Sequence, residues 1–246
     1  MLLRDLPTAD ENGIIRALTE ALSEINSRRI NKFGSFMLLY DFIQNHWVRP
    51  RIHKADPKRH WKFMHELIAP IKEAVVLDIA CGTGGAIPHF DTSNKYIGID
   101  LSYAMLRQAL KKVKAGGFRE YALIEGNAEE LLFPNECFDF VLIDTALHMI
   151  PKYKMCISEA ARVLKKGKKL ICSCPTVGLN KDFDETWKRI SVKRDLNALT
   201  EHDIDEACSR SGMHYQPCNT NGGVLYFQAM KENKINGMTA ATMPYD

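Results

Sequence analysis

The stretch Val75-Val76-Leu77-Asp78-Ile79-Ala80-Cys81-Gly82-Thr83-Gly84 constrains the fold more than any other part of the chain. A run of apolar and β-branched residues that ends in small residues reads as a buried strand stopping at a ligand loop. Its glycines let the backbone turn sharply and come close to a bound molecule. Asp78 sets a carboxylate just inside the strand end. In open α/β sheets, ligands bind beyond the carboxyl ends of the strands, where this loop falls. Two nucleotide loops are excluded. A dinucleotide fingerprint needs a third glycine where Ile87 stands, and no lysine followed by serine or threonine comes after Gly84 or Gly85 as a P-loop requires.

The pattern continues downstream. Tyr96-Ile97-Gly98-Ile99-Asp100 reads as a second strand ending in an acid, and Ser102 caps a helix with Ala104, Leu106, Ala109, Leu110 and Val113 on its apolar face. Glu125-Gly126-Asn127-Ala128 follows a third short strand. Phe138–Asp144 is the fourth, with Leu147-His148 in the loop after it. Cys172 and Cys174 share one face of the fifth strand, as small buried hydrophobes.

Together, D-x-A-C-G-T-G and these segments resemble the class I S-adenosylmethionine-dependent methyltransferases. Within them the likeness is nearest to the ubiquinone and menaquinone C-methyltransferase group. Tyr40-Asp41-Phe42-Ile43-Gln44-Asn45 looks like that group's Y-D-x-x-N segment, and Asn127-Ala128-Glu129-Glu130 with Phe133-Pro134 is similar to its N-A-E-x-x-P-F-P. Leu132 replaces the first proline, and the loop after the fourth strand lacks the group's asparagine and arginine pattern.

The resemblance implies a Rossmann-like, doubly wound α/β fold: a mainly parallel seven-stranded sheet, last strand antiparallel, behind an N-terminal helical extension. It implies S-adenosyl-L-methionine as cofactor, S-adenosyl-L-homocysteine as product, and no metal. The implied cofactor residues are Asp78, Ala80, Gly82, Thr83 and Gly84 at the first loop, and Asp100 and Leu101, where the carboxylate can accept bonds from both ribose hydroxyls. Asn127 and Ala128 follow at the adenine edge, and Ile143 and Tyr40 complete the implied set. Tyr40 closes over the methionine end or simply belongs to an apolar stripe. His148 is a general base, imidazole having a suitable ordinary pKa, or a structural loop residue. Asp144 is a site carboxylate or a solvated loop acid.

The implied division is a helical cap over 1–70, a cofactor-binding domain over 71–231 with 176–199 as substrate cover, and a tail over 232–246. In the cap, Thr8 and Glu11 fit a capping box before Ile14, Leu18, Leu22 and Ile25. Phe36, Leu39, Tyr40, Ile43 and Trp47 form a second stripe stopped near Pro50, and Asp56-Pro57 begins a third helix with Trp61, Met64 and Ile68. Thr200 caps a last helix, and Gly222-Gly223 joins two closing strands.

The net charge of +3 is too small to demand a polyanionic partner, and seven cysteines without C-x2-C pairs fit a reducing cytoplasm. No apolar run reaches membrane-spanning length. The run Arg49, Arg51, Lys54, Lys58, Arg59, Lys62 with Trp47 and Trp61 is a solvated helix face or a nucleic-acid patch. The partner expected is a small-molecule methyl acceptor. An RNA methyltransferase and a non-catalytic cofactor-binding subunit are the alternatives. Oligomeric state is not legible. Amino-methylating enzymes of the Asn/Asp-Pro-Pro-Tyr kind are disfavoured, because that place reads Ile143-Asp144-Thr145-Ala146.

Overall fold

The computed structural model describes residues 7–18 and 39–233. Its strands are β1 (Ile14–Arg16), β2 (Val75–Ile79), β3 (Lys95–Asp100), β4 (Tyr121–Glu125), β5 (Phe138–Asp144), β6 (Leu164–Pro175), β7 (Met213–Asn221) and β8 (Val224–Lys231). The helices are α1 (Tyr40–Ile43, continuing as a π-helix over Gln44–Ile52), α2 (Pro57–Ile68), α3 (Tyr103–Gly116), α4 (Tyr153–Val163), α5 (Lys181–Arg194) and α6 (Glu201–Arg210). Among the described residues the strands form one sheet in the order β1-β4-β3-β2-β5-β6-β8-β7. Only β8 runs antiparallel to its neighbours, β6 and β7. Successive strands step away from β2 on one side, and β5 returns to its other side. That places a topological switch point, and a crevice, at the carboxyl ends of β2 and β5.

Both faces of the sheet are covered, so its central strands are apolar on both sides. Along β2, Val76 joins one core with Phe140, Leu142 and residues of α2 and α3. Leu77 and Ile79 join the other, with Val141, Ile143 and residues of α4 and α6. Each fully buried aliphatic side chain contributes about 1.5–3 kcal/mol. Cys172 and Cys174 lie in this second core, fully buried.

The local signals around the sheet hold. Asp56 accepts from Lys58 and Arg59 N–H at the start of α2, Ser102 from Met105 N–H, and Thr200 forms a capping box with Asp203. The β7–β8 turn at Gly222-Gly223 is pressed against its surroundings. Gly222 has φ +60°, and a methyl added at Gly223 would fall 2.1 Å from the Phe183 ring of α5.

The N-terminal expectations need correction. Instead of a helix starting after Thr8, Ile14–Arg16 forms an eighth strand, parallel to β4 in the register Ile14↔Leu123. Asp10 turns the chain by accepting from Asn12 and Ile14 N–H, and Arg16 Nε donates to Glu125 at 2.8 Å. Leu22, Ile25 and Phe36 lie outside the described residues, as does the tail beyond 233. The second helix does not stop at Pro50. It widens into π geometry, His53 N–H reaching back five residues to Val48 O at 3.0 Å, and takes the proline inside it.

Candidate functional site

The first cavity opens beyond β3 and β4. Its apolar wall comes from Ile99, Leu101, Met105, Ala128 and Ile150, and its polar groups from Asp100, Asn127 and Tyr40. Small residues, Ala80 and Gly82, floor it at the end of β2. Asp100 is fixed by two backbone donors, Gly82 N–H and Ser102 N–H, each at 2.8 Å. A carboxylate has about four acceptor positions, so two remain for a ligand. Burial nevertheless raises its pKa, against those two hydrogen bonds. Asn127 Oδ1 accepts from Glu129 N–H at 3.0 Å, which holds the loop that carries Ala128. Tyr40 reaches the cavity from α1, and burial together with the Asp100 charge pushes its phenol up to about 12.

The second cavity lies beneath α1 and α2. Asn45, Arg49, Trp61, His89 and Lys112 line it. It shares Tyr40, Ala80, Gly82, Asp144 and Thr145 with the first, so the two meet above β2 and β5. Thr83 sits on this side. Its hydroxyl donates to Asp41 at 2.5 Å, and Lys112 Nζ donates to the same carboxylate at 2.6 Å. These bonds tie α1 to the β2 loop and to α3.

Asp144 stands at the seam. Ser173 and Thr145 hydroxyls donate to its Oδ1 at 2.5 and 2.9 Å, and Oδ2 lies 3.5 Å from His60 Nε2 and 3.9 Å from Arg49 Nη2. Burial alone would favour the neutral acid. His60, Arg49 and Ser173 outweigh it and hold the carboxyl well below the usual carboxylate range. Arg49 is itself buried. It bonds Asn45 Oδ1 at 3.0 Å and lies 5.0 Å over the Trp61 ring, whose indole stacks on His89 at 4.9 Å.

Ala80, Gly82, Asp100, Leu101, Asn127, Ala128 and Tyr40 thus come together around the first cavity, with Thr83 at the second. Four others do not join them. Asp78 lies beneath the loop, 2% exposed, accepting from Tyr96 Oη at 2.7 Å. Gly84 is a packing residue at φ +75°, where a methyl would fall 2.4 Å from Ile87 Cδ1. Ile143 belongs to the core. His148 is on neither cavity: its 3₁₀ turn carries it away, into edge contact with Trp187 and His53 at ring distances of 5.2 and 6.2 Å.

Arg49 and His60 are the site residues that the sequence reading passed over. Arg49 was grouped with a basic run whose other members, Arg51, Lys54, Lys58, Arg59 and Lys62, are exposed. His60 carried a usable signal. It precedes Met64 and Ile68 at a spacing of four, and all three are buried on one face of α2.

The position of Asp78 has a consequence for stability. Burial pushes its carboxyl up to about 8, despite the Tyr96 hydrogen bond. The unfolded value is about 3.9, so between about pH 4 and 8 the folded chain keeps a proton that the unfolded chain has lost. Stability from this group therefore falls as pH rises through that window. Asp78→Asn is expected to flatten the decline, so that its melting temperature gains on the parent protein from pH 5 to 9. Parallel melting curves across that range would refute this.

Comparisons with known proteins agree with the geometry. Residues 77–172 match the family described as Methyltransferase domain. A demethylmenaquinone methyltransferase of Bacillus velezensis is 36% identical over 119 residues, 46% of this chain and 51% of that protein. The chain thus spans about half the length of that relative. One from Alkalihalophilus pseudofirmus is 33% identical over 173 residues, 66% of this chain and 70% of that protein. Among solved structures, the YcgJ protein from Bacillus subtilis superposes with TM-score 0.61 at 18% identity, over 72% of this chain and 99% of its own. Haemonchus contortus phosphoethanolamine N-methyltransferase 2, in complex with S-adenosyl-L-methionine, does so with TM-score 0.66 at 18% identity, over 88% and 62%. The structural likenesses speak for the fold, and the sequence likenesses for descent: the chain belongs to the class I S-adenosylmethionine-dependent methyltransferase family, on the side of the demethylmenaquinone methyltransferases.

Proposed function

We propose that this protein transfers a methyl group from S-adenosylmethionine, held in the first cavity, to a small molecule held in the second. Following its sequence relatives, the acceptor is a reduced naphthoquinone-type ring methylated at carbon. The observation that carries the reading is the meeting of the two cavities at Tyr40, Ala80, Gly82, Asp144 and Thr145.

The residues fit the cofactor. The spare acceptor positions of Asp100 suit two ribose hydroxyls, the Ile99, Leu101, Met105 and Ala128 wall suits adenine, and Ala80 with Gly82 leaves room for the methionine end. Bound there, S-adenosylmethionine supplies a methyl carbon already activated by its sulfonium. The chain then has to orient the acceptor, exclude water and take up a proton. The α1 and α2 roof, braced by Asp41 and by the Ile52, Phe183 and Trp187 cluster, serves the first two tasks. In this reading residues 71–231 hold the cofactor, while 39–70 and 176–199 cover the acceptor.

No metal is called for. Among the described residues, no helix is long and apolar enough to cross a membrane. The test is calorimetric titration with S-adenosylmethionine, followed by transfer of its labelled methyl group to dithionite-reduced naphthoquinone. Micromolar binding and label in the ring are expected. Folded, cofactor-free protein that binds no S-adenosylmethionine would overturn the proposal.

A further inference from the structure

We infer that the outer face of α1 docks this protein on an anionic membrane surface, with Leu39, Phe42 and Trp47 entering the headgroup layer and the cations of residues 51–62 meeting lipid headgroups. The inference goes beyond the methyl-transfer reading. It stands on the outside of the roof rather than on the cavities beneath, and its test needs no methyl transfer.

The α1 segment is two-sided. Tyr40, Asp41, Gln44, Asn45 and Arg49 line the second cavity. The residues between them are turned to solvent: Leu39, Phe42 and Trp47 are 55%, 60% and 50% exposed, and His46 and Arg51 are exposed beside them. The Phe42 and His46 rings stack on each other at 4.1 Å. Large apolar side chains gathered on one exposed face mark an interaction surface, whereas scattered ones need no explanation. Leucine, phenylalanine and tryptophan flanked by lysine and arginine is the make-up of helices that lie in a membrane interface. Tryptophan in particular settles at the headgroup level.

Charge selects the occupant. Residues 39–62 hold six lysines and arginines against two acids, Asp41 and Asp56. Asp41 is taken by Lys112, and Asp56 caps α2. Arg49 is buried, but Arg51, Lys54, Lys58, Arg59 and Lys62 are exposed, Lys62 reaching Glu66 at 3.9 Å. Each lysine or arginine close to an anionic leaflet strengthens binding about fivefold, so this run favours a negatively charged surface. A second copy of the chain fits less well, since pairing two such faces would bring like charges together. Nucleic acid also fits less well. Bases stack on open ring faces, yet His46 covers one face of Phe42, and Leu39 offers no ring. Docked through this face, the second cavity lies one helix thickness, about 10 Å, beneath the lipid surface. An acceptor that partitions into the bilayer is then concentrated at the roof.

The test is sedimentation of the full chain with vesicles of phosphatidylcholine, alone or mixed with phosphatidylglycerol. Binding to the mixed vesicles is expected, weakening as salt is raised. Trp47 is the exposed one of three tryptophans, Trp187 being buried and Trp61 half-buried, so emission should shift to the blue on binding. Trp47→Ser should remove that shift. The pair Phe42→Ser with Trp47→Ser should lower vesicle affinity at least about 10-fold, and so should Lys58→Gln with Lys62→Gln. All should fold, by circular dichroism, and bind S-adenosylmethionine as the parent does. A parent that ignores the mixed vesicles, or vesicle binding unchanged by Phe42→Ser with Trp47→Ser, would overturn the docking face. So would a dimer that loses its self-association in that double variant, which assigns the face to a second copy. RNA binding lost in the same variant, without vesicle binding by the parent, would assign it to nucleic acid. Methylation of the naphthoquinone probe is read separately, and its failure would leave the vesicle result to decide the docking face.

Discussion

Asp100→Ala is expected to abolish measurable S-adenosylmethionine binding in calorimetry. Two charge-assisted hydrogen bonds to ribose hydroxyls, at about 1.5–3 kcal/mol each, correspond to a loss of at least about 100-fold in affinity. The change also acts on the protein. The carboxylate holds Gly82 and Ser102 N–H, so alanine leaves two donors unpaired where the β2 loop meets the start of α3. Each unpaired buried donor costs about 1–3 kcal/mol, so the melting temperature should fall as well. Asp100→Asn separates the two effects. Its amide keeps one acceptor oxygen, so the loop should largely stay in place while affinity falls to an intermediate value. Binding by Asp100→Ala within a few-fold of the parent would remove Asp100 from the cofactor site.

The parts of this site that were legible in the sequence are those encoded locally. The β2 loop, the acid ending β3 and the Ser102 cap each lie within a few residues, and the strand end dictates where they face. The same is true of Asn127 and Ala128 after β4. What was hidden depends on contacts between distant segments. Ile14–Arg16 has a helix-like apolar spacing, but its pairing partner lies 109 residues away, and neither propensity nor period reports that. Arg49 looked like one cation among six because nothing local distinguishes a buried arginine from an exposed one. Its distant partners come from α2 and β5. His148 shows the complementary effect: it stands close in sequence to the site, but its 3₁₀ turn sets it beside Trp187 and His53 and off both cavities.

Asp144→Ala should cost about 3–5 kcal/mol of folding stability in urea denaturation, because it leaves a buried guanidinium uncompensated. Arg49 cannot shed its proton, its side chain is 8% exposed, and its remaining partners, Asn45 and His60, carry no negative charge. Removing both charges should hurt less than removing one, so Arg49→Met with Asp144→Leu should be more stable than Asp144→Ala. The pH dependence has a definite sign. The folded carboxyl titrates below its unfolded value of about 3.9, so its contribution is fully present above about pH 5 and is lost as pH falls. The parent protein should therefore lose stability on acidification below about pH 5, and Asp144→Ala should lack that part of the loss. Stability within about 1 kcal/mol of the parent would mean that solvent already pays for the Arg49 charge. Cofactor affinity should respond far less than stability, since Asp100, Asn127 and the Ala128 wall are held by other bonds. That split is what a seam residue requires: Asp144 anchors the roof over the second cavity, while the first cavity is fixed from the β3 side.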